Sequence, residues 1–167
     1  MDIFATPTMD VPRSQWIIDL LADNNPLGDV SSVDGLVALM DKYPVAPIAE
    51  KIAKLEEWLL TQPQVEMPVK HYVCNGMYYR ELFIQKGAIL TGHTHLEDHI
   101  SIVISGDITV LSKDGLKRLK AGDSFPADSM VKRAGFAHED TIFVNIHRTN
   151  EQDPDKAAAA CIKKKGE

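Results

Sequence analysis

Cysteine is nearly missing from this chain: 167 residues include only Cys74 and Cys161, with no CxxC pair. No disulfide framework or cysteine-based zinc site is therefore visible. Basic residues are also in the minority, 18 Lys plus Arg against 24 Asp plus Glu, which gives a formal charge of −6. General nucleic-acid binding needs a basic face to neutralise phosphates, so it is not expected. No apolar stretch approaches the ~20 residues of a membrane span. The opening residues MDIFATPTMD carry acids and a proline where a signal peptide has bases followed by an apolar run. The expectation is a soluble, cytoplasmic protein of a reducing compartment, without a membrane partner. With 44% hydrophobic and 25% charged residues, the composition argues against a mainly disordered chain. The length fits about one domain with room for an appendage.

What is present is histidine. Five of the six histidines fall between residues 93 and 147.

The front of the chain reads as helical. Residues 1–12 suggest an extended arm. Trp16, Ile17, Leu20 and Leu21 form an amphipathic pattern that Asn24, Asn25, Pro26 and Gly28 stop. A short helix using Leu36, Leu39 and Met40 is expected next. A third follows Pro47, with Ile48, Ile52, Leu55, Trp58 and Leu59 on one face. No catalytic constellation appears here, and the role expected is packing or oligomerisation.

From about Val69 the pattern becomes one of short strands. VKHYVC, MYYRELFIQ, ISIVIS, DITVLS, LKRLK and TIFVNIH are separated by turn signals such as Asn75-Gly76 and Asp114-Gly115. Asp114-Gly115 predicts a hairpin. Many short strands imply one antiparallel sandwich or barrel rather than a parallel sheet with crossover helices. The expected organisation is an arm and helical extension over 1–66, a β-barrel over 67–149 and a tail over 150–167 that includes a short helix.

His93 and His95 are two apart, so on a strand both rings project from one face. His99 keeps that parity on a continuous strand, or returns to the same pocket across a turn at Leu96-Glu97-Asp98. His138 follows Gly135 in a later strand region. Converging neutral imidazoles suit a transition metal. An isolated HxH, by contrast, is more often ordinary surface or core histidine. His147 shares a strand face with Phe143 and Asn145 and either lines the cavity, packs or faces solvent; His71 is equally unassigned. Tyr78, Tyr79 and Arg80 alternate between faces, so one face can present a phenol or guanidinium to a ligand or simply pack. Lys132 and Arg133 either hold an anion near His138 or form an exposed strand end. Asp98, Glu139 and Asp140 either orient imidazole N–H groups or are plain turn carboxylates.

Gly87-x5-His93-x-His95-x3-His99-x6-Gly106 resembles the first motif of the cupin superfamily, with His99 where glutamate is usual. The second motif is matched only in part by Arg133-Ala134-Gly135-Phe136-Ala137-His138, with arginine for proline and Ile142 for asparagine. The resemblance covers roughly residues 69–148. It implies a mainly β fold, a single cupin-type double-stranded β-helix (jelly-roll) barrel with an N-terminal helical extension. It also implies a divalent transition metal (Fe, Zn, Ni, Mn or Cu) held by His93, His95, His138 and, in place of the acidic ligand, His99. Four neutral imidazoles leave the full charge of a dication, which strengthens it as a Lewis acid. They can alternatively close a tetrahedral structural shell.

A narrower likeness, over about residues 50–149, is to small cupin-like proteins of tailed phages and prophages. It implies either a small-molecule metalloenzyme of unassigned reaction or a non-catalytic structural, assembly or host-interaction module. The partners implied are a small-molecule ligand or virion proteins, and the location is host cytoplasm or virion. A second copy of the chain is expected separately, because open sheet edges need covering and the amphipathic front can cover one in the same subunit or a partner.

Overall fold

The computed structural model describes residues 4–5 and 48–163. The helices expected near residues 14–23 and 31–40, and the final lysines, lie outside the described residues. The described elements begin with β1 (Phe4–Ala5) and α1 (Ile48–Leu60). Strands β2 (Val69–Cys74), β3 (Met77–Ile84), β4 (Ile89–Thr91), β5 (His99–Ser105) and β6 (Asp107–Ser112) follow. Then come β7 (Gly115–Lys120), β8 (Ser124–Ala127), β9 (Ala134–Ala137), β10 (Thr141–Arg148) and α2 (Pro154–Cys161). They build two five-stranded sheets, one ordered β1-β4-β9-β6-β7 and the other β2-β3-β10-β5-β8. Every pairing is antiparallel. This is a mainly β sandwich of two antiparallel sheets preceded by a helix, the architecture that the sequence led us to expect.

Turn chemistry places the strands. Asn75 and Gly76 both take positive φ (43° and 86°), the conformation that lets a two-residue turn follow strand twist. That hairpin sets Cys74 opposite Met77. The hairpin expected at Asp114-Gly115 does join β6 to β7, but its two loop residues are Lys113 and Asp114, because Gly115 already pairs with Ser112. Gly106, the last glycine of the first motif, has φ +92°, and a Cβ there would lie 2.4 Å from the Asp140 carbonyl oxygen. Only glycine allows the β5–β6 turn to pass so close to the start of β10.

Strand parity divides the side chains into two layers. Leu82 and Ile84 of β3, Leu90 of β4, Val103 of β5, Ile108 and Val110 of β6 and Ala137 of β9 meet between the sheets. The opposite face of the first sheet offers Ile89, Leu111, Ala134 and Phe136, which α1 covers with Ile52, Leu55 and Leu59. Those helix positions recur at i, i+3 and i+7, the spacing of one helical face. Lys132, expected as an anion holder or an exposed strand end, instead ties this helix down through Glu56 at 2.5 Å. At the far end, Asp153 caps α2 by accepting from the Asp155 and Lys156 N–H groups, with Pro154 opening the helix. Ala157 and Cys161 of this helix pack on Tyr78.

Candidate metal centre

The inward-facing side chains of the second sheet change character from one end to the other. Three cross-strand rows can be followed through β3, β10 and β5. Leu82, Phe143 and Val103 form an apolar row. One step on, Arg80 faces Asn145, which faces Ser101, and the Ser101 hydroxyl donates to Asn145 Oδ1 at 3.0 Å. One step further, Tyr78 is paired with His147, beside His99 at the start of β5. Successive rows on one face are two residues, or roughly 7 Å, apart. The sheet thus leads from core through a polar shelf to histidine.

His95 completes the last row from outside the ladders. β4 ends at Thr91, and the segment that follows is held by backbone contacts instead. The His95 carbonyl accepts from Met130 N at 2.8 Å, Leu96 N donates to Cys161 O at 3.0 Å and Lys163 N donates to Thr94 O at 2.8 Å. His95 also bridges Ile162. The C-terminal segment after α2 therefore fixes the position of His95, a role that its composition does not suggest.

His95, His99 and His147 each offer a ring nitrogen within 4.8 Å of the other two. Their ring centroids lie 4.3–4.7 Å apart. All three are buried, and His147 is only 2% exposed. Burial drives each toward the neutral form: His147 is pushed down to about 4 and His95 to about 2. The neighbouring rings act in the same direction on both. His99 is also lowered, by burial. Its Nδ1 faces the Glu97 carbonyl at 3.2 Å, so Nδ1 carries the proton and the Nε2 lone pair is left for a ligand. Both nitrogens of His147 and Nδ1 of His95 have no hydrogen-bond partner among the described residues. Buried polar atoms are costly to leave unsatisfied. Three neutral imidazoles with unused lone pairs are the donor set a divalent transition metal takes, at about 2.0–2.1 Å for zinc.

Of the four histidines expected to share a metal, the structure brings together His95 and His99 and adds His147. It does not bring His93 or His138 into the group. His93 lines the neighbouring pocket, but it follows the end of β4, so the same-face parity expected of His93 and His95 on a strand does not operate. His138 is excluded by parity on β9. Ala137 and Gly135 point inward, Gly135 facing Ile108 and Leu90. Phe136 and His138 consequently fall on the outer side, where His138 Nε2 meets Thr109 Oγ1 at 2.8 Å and its ring stands edge-on to Phe136. In the sequence His147 already shared a strand face with Phe143 and Asn145; that alternation was the available signal. The acidic neighbours are engaged elsewhere: Asp98 accepts from Ser129 N and Asp140 from Lys86 N.

A cavity of about 80 Å³ adjoins the cluster. His93, His95 and His99 stand at one end, Arg80, Ser101 and Asn145 along one wall, and Arg133 opposite, with Leu82, Leu90, Ile108 and Phe143 deeper. Arg133 is braced by the Val131 and Asp128 carbonyls. On the side away from the cavity, Tyr78 is fully buried and meets His71 Nδ1 through its hydroxyl at 2.5 Å. Burial pushes the Tyr78 phenol up to about 12.

No protein-family model matches the chain, and no curated protein matches it in sequence. Several solved structures are similar in fold. KdgF from Halomonas sp. is 21% identical with a TM-score of 0.46, over 55% of this chain and 87% of that one. A cupin-2 domain containing protein from Shewanella frigidimarina is 16% identical with a TM-score of 0.41, over 66% of this chain and 99% of that one. Ectoine synthase from P. lautus is 13% identical with a TM-score of 0.43, over 49% and 63%. Among the described residues, no helix is long and apolar enough to cross a membrane.

Proposed function

We propose that this chain is a metal-binding cupin-type protein whose centre is His95, His99 and His147, acting on a small molecule in the adjoining cavity. The observation that carries the reading is the set of three buried imidazoles, His95 and His147 with nitrogens unpartnered among the described residues, of which His95 and His99 line a pocket. Three protein ligands on a divalent ion leave a coordination position for water or substrate, as catalytic sites require and closed structural sites do not. A metal bound there supplies Lewis-acid polarisation of a ligand oxygen. The protein's part is to hold the rings: His99 through the Glu97 carbonyl, and His95 through the Met130 and C-terminal backbone contacts. The apolar depth of the cavity excludes water from one side of the ligand. The test is metal quantification after purification without added metal, followed by titration of chelator-treated protein with zinc. One ion per chain is expected. Absence of any stoichiometric site for zinc, iron, nickel, manganese or copper overturns the reading.

A second reading, a non-catalytic assembly module, draws support from one surface. The outer face of the second sheet leaves Ile100, Ile104, Tyr72 and Met77 exposed, with Ile102, Ile142 and Ile146 partly so. Apolar side chains exposed together on one sheet face suit an interaction site, with the Lys70–Glu81 ion pair crossing the same face. A second copy of the chain is the occupant we propose, since one such face covers another in an isologous pair. Light scattering is expected to give a dimer, and the double substitution Ile100→Lys/Ile104→Lys a monomer that still binds metal. A wild-type monomer at micromolar concentration defeats the dimer.

A further inference from the structure

The polar shelf one row inside the histidines contains a guanidinium without a hydrogen-bond or ion-pair partner among the described residues. Arg80 reaches the cavity from β3, and it makes no hydrogen bond or ion pair among the described residues. Its neighbours across the sheet, Asn145 and Ser101, are bonded to each other. Among the described residues no aspartate or glutamate lines the cavity, while Arg80 and Arg133 both do. A chain of net charge −6 thus presents two positive charges, and no acid among the described residues, to one small pocket. A guanidinium left so in a partly desolvated site is costly unless a ligand pairs with it.

We infer that the cavity takes a small organic carboxylate, with Arg80 as its anchor and the carboxylate's far end directed toward the His95/His99/His147 centre. The planar fork of arginine matches a carboxylate through two parallel N–H···O bonds. The remaining walls decide between carboxylate and an inorganic oxyanion. Leu82, Leu90, Ile108 and Phe143 offer no donor, which suits a carbon skeleton and leaves phosphate oxygens unsatisfied on that side. The two-residue step from the Arg80 row to the His147 row, roughly 7 Å, is short enough for a ligand of a few carbons to span. A cavity of about 80 Å³ holds only a handful of water-sized groups, so the part of the acid it encloses must be small.

This inference deepens the proposed function, but its anchor does not require the metal. The test uses acetate, malonate and succinate as probes, with succinamide as the neutral control and inorganic phosphate as the competing anion. Isothermal titration and thermal shift are read on the full chain, both chelator-treated and zinc-loaded. At least one carboxylate is expected to bind and raise the melting temperature, with succinamide and phosphate at least tenfold weaker. Arg80→Met is expected to weaken that carboxylate at least tenfold while retaining the same zinc stoichiometry. Arg80→Lys, which keeps the charge but loses the fork, should fall between and serves if Arg80→Met fails to fold. Binding to Arg80→Met within twofold of wild type, or tighter binding of phosphate, overturns the inference. So does the absence of binding by all three carboxylates at millimolar concentration. Arg80-dependent binding to a protein that takes up no metal leaves this inference standing and sinks the metal reading; metal uptake with no carboxylate affinity does the reverse.

Discussion

Replacing His147 by phenylalanine is expected to abolish stoichiometric metal binding and leave the metal-free protein as stable as wild type or more so. The two effects have one cause. His147 is 2% exposed and neither ring nitrogen has a partner among the described residues. Without metal, those nitrogens contribute the desolvation cost of unsatisfied polar groups, about 1–3 kcal/mol each. A phenyl ring of similar size stacked between His95 and His99 carries no such cost. With metal, the same substitution removes one of three ligands, and zinc affinity should fall by at least a hundredfold. His138→Ala provides the contrast. It loses the Thr109 hydrogen bond and the contact with Phe136 on the outer face, worth about 1 kcal/mol, and should keep one metal per chain. Urea denaturation in chelator together with metal titration checks both variants. Metal loss in His138→Ala with retention in His147→Phe would reverse the assignment of the centre.

The second large effect is acid sensitivity of the metal-free protein. Burial lowers the folded-state values of His95, His99 and His147, to about 2 for His95 and about 4 for His147. In the unfolded chain each titrates near ~6.5. Below that pH the unfolded state binds protons that the folded state refuses, so stability falls as pH falls. The loss begins near ~6.5; the His147 part ends near 4, where that ring becomes protonated in place, and the His95 part continues toward about 2. Each ring contributes at most about 1.4 kcal/mol per pH unit, so His95 and His147 together remove of order 4 kcal/mol by pH 4.5. That is a large share of the ~5–15 kcal/mol of an ordinary domain. Urea midpoints of chelator-treated protein at pH 7.0 and 4.5 measure it, and His147→Phe should show a visibly smaller drop. A midpoint constant across this range rules out a buried neutral triad. Because protons and metal compete for the same lone pairs, zinc should protect at pH 7 and be released as the solution is acidified.

Features set by local chemistry are legible in the sequence. β2, β3 and β10 begin and end close to the runs VKHYVC, MYYRELFIQ and TIFVNIH, because alternation and the turn at Asn75-Gly76 are properties of neighbouring residues. The helix after Pro47 is legible for the same reason, as Ile52, Leu55 and Leu59 share a face whatever they pack against. His95 and His99 stand out by their spacing within one motif.

The remaining member of the centre depends on relations no local pattern contains. Whether His138 or His147 turns inward is decided by which sheet each strand joins and by which of its neighbours fills the core. On β9 that neighbour is Ala137, and on β10 it is Phe143, with Asn145 and His147 following at the same parity. The β5–β10 register then sets Asn145 beside Ser101 and draws His147 to the start of β5, 48 residues after His99. The tail is a similar case: Cys161, Ile162 and Lys163 hold the His95 segment through backbone atoms, which side-chain composition does not reveal. Local pattern was enough to specify a histidine-rich antiparallel sandwich. Strand pairing across long separations decided which histidines meet, because inward direction is a property of the assembled sheets and not of the strand alone.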